Sequence, residues 1–218
     1  MRLGAGGPKA LVDLAGRPLV AWSLAALAES ELIGRVVIAA PPGHEAELEA
    51  LAGESAIVVA GGASRSQSVA NALAAVATDL VVIHDAARPL APAALFDEVV
   101  AALAGDPEAQ GVIAAAPLAD TLKRAGSDAL EVSATVSRAG LWRAQTPQAF
   151  RRQALADAHG VAEDQLAAAT DDAMLVEATG GTVRLCPFDG PNPKVTTRAD
   201  LQLAEALLSA RAPRTPNA

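Results

Sequence analysis

The chain has 218 residues, 51% of them hydrophobic, and carries 25 acidic against 17 basic side chains for a formal net charge of -8. That length suits one domain able to bury roughly 70% of its unfolded surface, and the acidic balance argues against a protein that grips nucleic acid by neutralising phosphates. A small anion held by a few converging cations stays open, and with aromatics at 2% the core must be built from Ala, Val and Leu.

At the amino end Arg2 and Lys9 flank Gly4-Ala5-Gly6-Gly7-Pro8. A glycine loop between two cations suits a triphosphate, with backbone N–H groups against phosphate oxygens and cations opposite the leaving group. Taken alone it reads equally as an unstructured basic start. No strand precedes Leu3, so the sequence opens where a loop should already be under way.

From there, helix-like and strand-like stretches alternate. Pro18 to Ser30, Gly43 to Ala52, Ser66 to Ala77 and Pro92 to Ala104 are amphipathic. Arg35 to Ala40, Ala56 to Ala60, Leu80 to His84 and Gly111 to Ala116 are short, apolar and rich in β-branched residues, as strands covered on both faces should be. The alternation predicts an α/β fold with a doubly wound, mostly parallel sheet, whose ligand crevice lies beyond the carboxyl ends of the strands.

Two strand ends carry polar signals. Gly61-Gly62-Ala63-Ser64-Arg65-Ser66-Gln67-Ser68-Val69 opens a helix, and its free N–H groups and serines suit the polar groups of a ligand, or form a plain glycine turn with a serine cap. His84-Asp85-Ala86-Ala87-Arg88-Pro89 places a carboxylate and a guanidinium at the mouth of the crevice, with small alanines that let a ligand approach the backbone. The plainer alternative is an Asp capping a turn beside a solvated Arg. His84 itself reads as a packed, hydrogen-bonded residue rather than a catalyst.

Asp120 to Arg138 breaks the pattern: it is polar, holds an Ala-Gly-Ser-Asp turn and alternates from Glu131 to Val136, which predicts a projecting hairpin arm. Helices are expected over Pro147 to Ala158 and Thr170 to Thr179, with Thr170 as N-cap and Asp171 and Asp172 in the first turn. A strand over Thr182 to Cys186, a Pro/Gly loop from Pro187 to Pro193 and a helix from Arg198 to Ala210 complete one domain spanning 1–218, with 120–138 as the arm and 211–218 as a frayed tail. In Asn192-Pro193-Lys194-Val195-Thr196 the stiff loop would aim the Lys194 ammonium.

Cys186 is the lone cysteine, so no internal disulfide can form; it reads as a core residue, and a cytoplasmic protein is expected. No apolar run approaches the ~18 residues of a membrane span, and the start lacks the apolar stretch of a signal peptide. Cys/His metal spacings, a Gly-x-Ser-x-Gly elbow, a phosphate-binding P-loop and an intact Gly-x-Gly-x-x-Gly are all absent, which removes zinc and serine hydrolases, P-loop enzymes and ordinary dehydrogenases.

Taken in order, Arg2, Pro8-Lys9, Gly61-Gly62, Arg65, Ser68-Val69, His84 to Pro89, Asp120 to Lys123, Arg138 to Trp142, Thr146-Pro147-Gln148, Thr170-Asp171-Asp172 and Asn192 to Thr196 resemble one family. It is that of the 2-C-methyl-D-erythritol 4-phosphate cytidylyltransferases, and the resemblance runs from Arg2 to the last helix. It implies a Rossmann-like nucleotidyltransferase and an in-line attack of the acceptor phosphate on the α-phosphorus of CTP, with Mg²⁺ bridging phosphate oxygens and Asp85 as the nearest protein ligand. Arg2, Lys9 and Lys194 would stabilise the pentacoordinate centre and the leaving pyrophosphate. Arg138 and Thr121 would hold the methylerythritol phosphate, with Arg88, Thr146 and Thr170 on its hydroxyls. Gly61, Gly62, Ser68, Asp85 and Ala86 would line the cytidine side.

The resemblance further implies a homodimer in which the arm completes the partner's site, and no nucleic-acid or membrane partner. Two departures stand out: the family's first strand and its Ala-Ala-Gly loop are missing ahead of Arg2, as in a chain begun downstream of its natural start, and Ala63 replaces a frequent acid. Ribitol 5-phosphate is the rival acceptor, and a nucleotide-binding dimer impaired by the incomplete loop is the rival from another class.

Overall fold

A computed structural model describes residues 7–126, 130–161, 166 and 168–211. Arg2, Gly4, Gly6, the Ser127-Asp128 part of the predicted turn and the tail from 212 onward lie outside them. After a 3-10 turn at Lys9–Leu11 the elements are β1 (Asp13–Leu14), β2 (Arg17–Pro18), α1 (Leu19–Glu29), β3 (Val36–Ala40), α2 (Glu45–Ala52), β4 (Ala56–Ala60), α3 (Arg65–Ala74), β5 (Leu80–Ile83), α4 (Ala93–Gly105) and β6 (Gly111–Pro117). There follow β7 (Leu122–Ala125), β8 (Val132–Val136), β9 (Trp142–Arg151), α5 (Arg152–Ala158), α6 (Asp172–Ala178), β10 (Val183–Pro187) and α7 (Arg198–Arg211). Among the described residues no helix is long and apolar enough to cross a membrane.

The main sheet has the order β10-β6-β9-β5, with β6 parallel to β10 and β9 antiparallel to both of its neighbours. Three of its strands therefore run one way and β9 runs against them, so the sheet is mixed. Alternate residues face opposite layers. Val81, Ile113 and Phe150 pack on Leu73 of α3, Leu155 of α5 and Val176 of α6. Val112, Ala114 and Ala149 pack on Leu95, Val99 and Leu103 of α4. Helices on both faces leave no wet side, which is why β6 reads as an unbroken apolar run.

β9 corrects the helix expected from Pro147. The segment from Pro147 to Arg151 is strand, and only Arg152–Ala158 is helical. The position between β5 and β6 offers backbone partners on both sides, and tertiary pairing overrides local preference. Ile113 faces Gln148 while Ala115 faces Ala144, so Gln145, Thr146 and Pro147 bulge opposite Ala114 and are turned toward the strand ends.

β3 and β4 pair in parallel as a separate two-stranded sheet. Between β3 and β5 runs a cleft of about 1080 Å³, lined by Val36, Ile38, Val81, Ile83, Leu24 and Phe96 among others. The single continuous sheet expected from the β-α alternation is thus split at this point among the described residues. β7 and β8 form the predicted arm as an antiparallel hairpin. At the other end, α7 continues through Arg211, whose guanidinium donates to the Leu90 and Pro191 carbonyls, so residue 211 belongs to the fold rather than to a frayed tail.

Candidate active site

β5 ends at Ile83, and the chain then turns away from the sheet through His84 to Pro89. His84 packs edge-on against Phe96, with ring centroids 4.9 Å apart. Burial lowers its pKa to about 4, so the ring is neutral at physiological pH. The Thr146 hydroxyl accepts from the Asp85 backbone N–H at 3.0 Å and meets His84 Nδ1 at 3.1 Å, while His84 Nε2 lies 3.3 Å from the Arg88 carbonyl. One consistent tautomer follows: Nε2–H donates to Arg88 and Nδ1 accepts from Thr146. His84 is the structural residue the sequence suggested. Thr146 is buried, and its hydroxyl ties β9 to the end of β5 instead of pointing at solvent.

Asp85 sits between two cations. Its Oδ1 accepts from Arg65 Nε at 3.3 Å and its Oδ2 from Lys194 Nζ at 2.6 Å. Burial pushes the Asp85 carboxyl up, but the Lys194 hydrogen bond and the Arg65 charge outweigh it and hold it below the usual carboxylate range. Arg65 feels the same balance from the other side: burial favours the neutral form, and Asp172 with Asp85 more than restores the charge. Arg88 donates to the Asn192 and Ala144 carbonyls, and its burial lowers its pKa from the very high ordinary value of an arginine.

The loop that carries Lys194 is fastened before and after it. Asn192 Nδ2 donates to Gln145 Oε1 and to the Thr146 carbonyl, both at 2.9 Å, and the Val195 N–H donates to the Ala87 carbonyl at 2.7 Å. Asp200 then caps the start of α7 through Thr196 and Thr197. The lysine side chain is 43% exposed even though its ammonium is held, so it is aimed at an open space.

That space is a pocket of about 230 Å³ whose lining includes Arg65, Asp85, Arg88, Thr146, Thr170 and Lys194. Five of the predicted site residues thus meet, at the carboxyl end of β5 where the fold rule placed the crevice. Gln145, Gln148 and Asp171 also line it, and sequence reasoning gave them no part in a site. Asp171 is moreover the true N-cap of α6, accepting from the Met174 N–H at 3.0 Å; Thr170, expected in that role, is exposed at the pocket rim.

Other predicted residues lie elsewhere. Gly61 and Gly62 do not adopt left-handed angles; they are needed for space. A Cβ on Gly62 would stand 2.1 Å from Gln67 Cγ, and one on Gly61 2.6 Å from the Ala40 carbonyl oxygen. Ser68 accepts from the Gly62 N–H and donates to the Ser64 carbonyl, while Ser64 is the cap of α3. This is the plain capped turn weighed at the outset. Ala86 and Ser68 line the neighbouring cleft. Lys9 opens its 3-10 turn and makes no side-chain ion pair among the described residues. Thr121 and Arg138 stand exposed at the base of the arm, away from the pocket lining, where Arg138 donates to the Ala119 carbonyl.

No group of three or more His, Cys, Asp or Glu able to hold a metal occurs among the described residues. Asp85 and Asp171 are the acids in the pocket lining, and both are occupied: Asp85 by Arg65 and Lys194, Asp171 by the Met174 N–H and the Gln148 amide. These residues by themselves therefore do not make a metal site in this arrangement.

A family model described as 2-C-methyl-D-erythritol 4-phosphate cytidylyltransferase matches residues 1–210. A cytidylyltransferase of that description from Frankia casuarinae is 48% identical over 95% of this chain and 77% of its own length. One from Gloeobacter violaceus is 40% identical over 99% of this chain and 94% of its own. Among solved structures, the enzyme of the same description from Thermus thermophilus superposes with a TM-score of 0.79 at 35% identity, covering 96% of this chain and 100% of its own.

Proposed function

The chain belongs to the 2-C-methyl-D-erythritol 4-phosphate cytidylyltransferase family, and from that membership we propose how its pocket serves the reaction. The enzyme is a nucleotidyltransferase that moves a cytidylyl group from CTP to 2-C-methyl-D-erythritol 4-phosphate in the non-mevalonate route to isoprenoids. An acceptor phosphate oxygen forms a bond to the α-phosphorus as the bond to the β-phosphate breaks, and pyrophosphate leaves with the electron pair. No covalent enzyme intermediate is needed, so catalysis rests on alignment and on stabilising charge.

The observation that carries this reading is Lys194. It is held at 2.6 Å by Asp85 yet 43% exposed over a pocket also lined by Arg65 and Arg88, so one ammonium N–H stays on the carboxylate while the others can meet an arriving phosphate. Lys194 stabilises the pentacoordinate centre, together with Lys9 and Arg2 from the amino end. Arg88 and Thr170 meet the acceptor. Thr146 contributes by holding β5 to β9, and Gly61, Gly62, Ser68 and Ala86 shape the nucleotide side through their backbone. A divalent ion such as Mg²⁺ would arrive on the triphosphate and neutralise its charge.

Thr121 and Arg138 complete the site of a second copy. The arm exposes Leu130 (91%) and Val132 (56%), and Leu141 and Trp142 beside it are 39% and 37% exposed, apolar surface suited to a homodimer. Work in the cytoplasm is consistent with the lone cysteine. Pyrophosphate release from CTP with methylerythritol phosphate tests the reaction, and a clear preference for ribitol 5-phosphate would overturn the acceptor. Mixing Lys194→Ala with Arg138→Ala protomers tests the arm: activity returns only if Arg138 works across the interface.

A further inference from the structure

The ion pair at Lys194 is the last link of a longer chain of contacts. Asp172 is fully buried at the start of α6. A carboxylate there needs strong partners, because desolvation of an unpaired charge is costly. It has two: Arg65 Nη1 donates to Oδ2 at 2.7 Å, and His159 Nε2 donates to Oδ1 at 3.0 Å. The His159 side chain is itself only 6% exposed, just past the end of α5. Arg65 then spans to the pocket, where its Nε donates to Asp85, and Asp85 holds Lys194. The sequence of contacts His159, Asp172, Arg65, Asp85, Lys194 links α5, α6, α3, the end of β5 and the lysine loop.

A guanidinium committed on one edge to a buried carboxylate cannot turn freely, since its donors form a rigid fork. With Arg65 so fixed, the Asp85 carboxylate is fixed between two cations and its free oxygen points at Lys194. Release of Asp172 would let Arg65 shift onto Asp85, and the ammonium would lose its defined direction over the pocket. Displacement of a charged group by about 1 Å can cost on the order of a hundredfold in rate when alignment is the source of catalysis.

We propose that His159 and Asp172 are positioning residues: through Arg65 and Asp85 they aim the Lys194 ammonium at the reacting phosphate. This rests on the reaction described above. The test is a double-mutant cycle on kcat and KM in the full chain. His159→Leu lowers kcat about tenfold and leaves the KM values for CTP and acceptor within about twofold, because the aimed contact is made in the transition state. The same change costs nothing further in a Lys194→Ala background, and His159→Gln, which keeps an amide donor near Nε2, recovers at least half of the lost kcat. Asp172→Asn is carried through the same cycle, so a failure of either variant to fold leaves the other to decide.

Equal losses with and without Lys194, or losses confined to KM, would overturn the proposal and leave the network as a tether between helices. A readout independent of turnover is the ¹³C resonance of dimethylated Lys194 in the ligand-free protein. It moves in His159→Leu and Asp172→Asn if the proposal holds, and an unmoved resonance overturns it. A moved resonance in a chain that releases no pyrophosphate would instead count against the reaction alone.

Discussion

The two sides of this molecule are built to different standards. Around β6 every strand residue from Gly111 to Ala116 is buried, with partners on both edges and helices on both faces. At β3 the residues are mostly half-buried, one edge pairs with β4, and the other side opens to the cleft shared with β5. The polar strand ends on the two sides differ in the same way. Asp85, Arg88 and the loop carrying Lys194 are fastened to β9 by hydrogen bonds to Thr146, Ala144 and Gln145. The turn of Gly61, Gly62 and Ser68, outside that pocket lining, hangs from a two-stranded sheet. Charge alignment is thus preorganised where β9 reaches, and local turn chemistry alone shapes the rest.

Truncating one residue on each side separates the two regions. Phe150→Ala, at a ring with no exposed surface, is expected to cost about 3–5 kcal/mol, whereas Ile38→Ala beside the cleft should cost no more than about 2 kcal/mol. Urea midpoints measure both, and equal losses would mean the cleft is no weaker than the core. Hydrogen exchange sharpens the same contrast: amides of Val112 to Ala115 should open only with global unfolding, those of Val36 to Ala39 by smaller events.

Next in size is Lys194→Ala, expected to lower kcat by about 10²–10³-fold, the range for loss of one stabilising contact to transition-state charge. A near-normal rate of pyrophosphate release would return Lys194 to the solvated surface. Thr146→Val follows. Its hydroxyl joins the Asp85 N–H to His84, so its removal strands buried polar groups and should cost about 1–3 kcal/mol of stability. A normal stability with a raised acceptor KM would restore the direct substrate role.

The smallest effect concerns Asp200, whose hydrogen bonds from Thr196 and Thr197 lower its pKa from 3.8 to about 2. Between those values the unfolded chain binds the proton and the folded one does not, so stability rises with pH there. The contribution is complete above 3.8 and is lost as pH falls toward 2. Asp200→Ala should cost about 1 kcal/mol at neutral pH, in line with a lost helix cap, and the gap to the parent should narrow on acidification. A gap unchanged at low pH would mean that the charge of Asp200 is not what stabilises the start of α7.

By itself the sequence determined most of the runs that become strands and helices, the hairpin arm and the placing of His84, Asp85 and Arg88 just past the end of β5. Those signals are local: apolar runs of β-branched residues, helical spacing, turn residues, and charge placed abruptly after a buried strand. Motif order also carried the family, because spacing along a chain survives where contacts cannot be seen. Tertiary structure alone decided the rest. Gln145, Thr146 and Gln148 read as polar residues before a helix until β9 is placed between β5 and β6, where Asn192, His84 and Asp171 hydrogen-bond to them. Arg65 and Asp172 stand 107 residues apart, and nothing local in either segment foretells that one neutralises the other. Buried polar groups choose partners by proximity in the folded chain, and that proximity exists only once the helices have closed over the sheet.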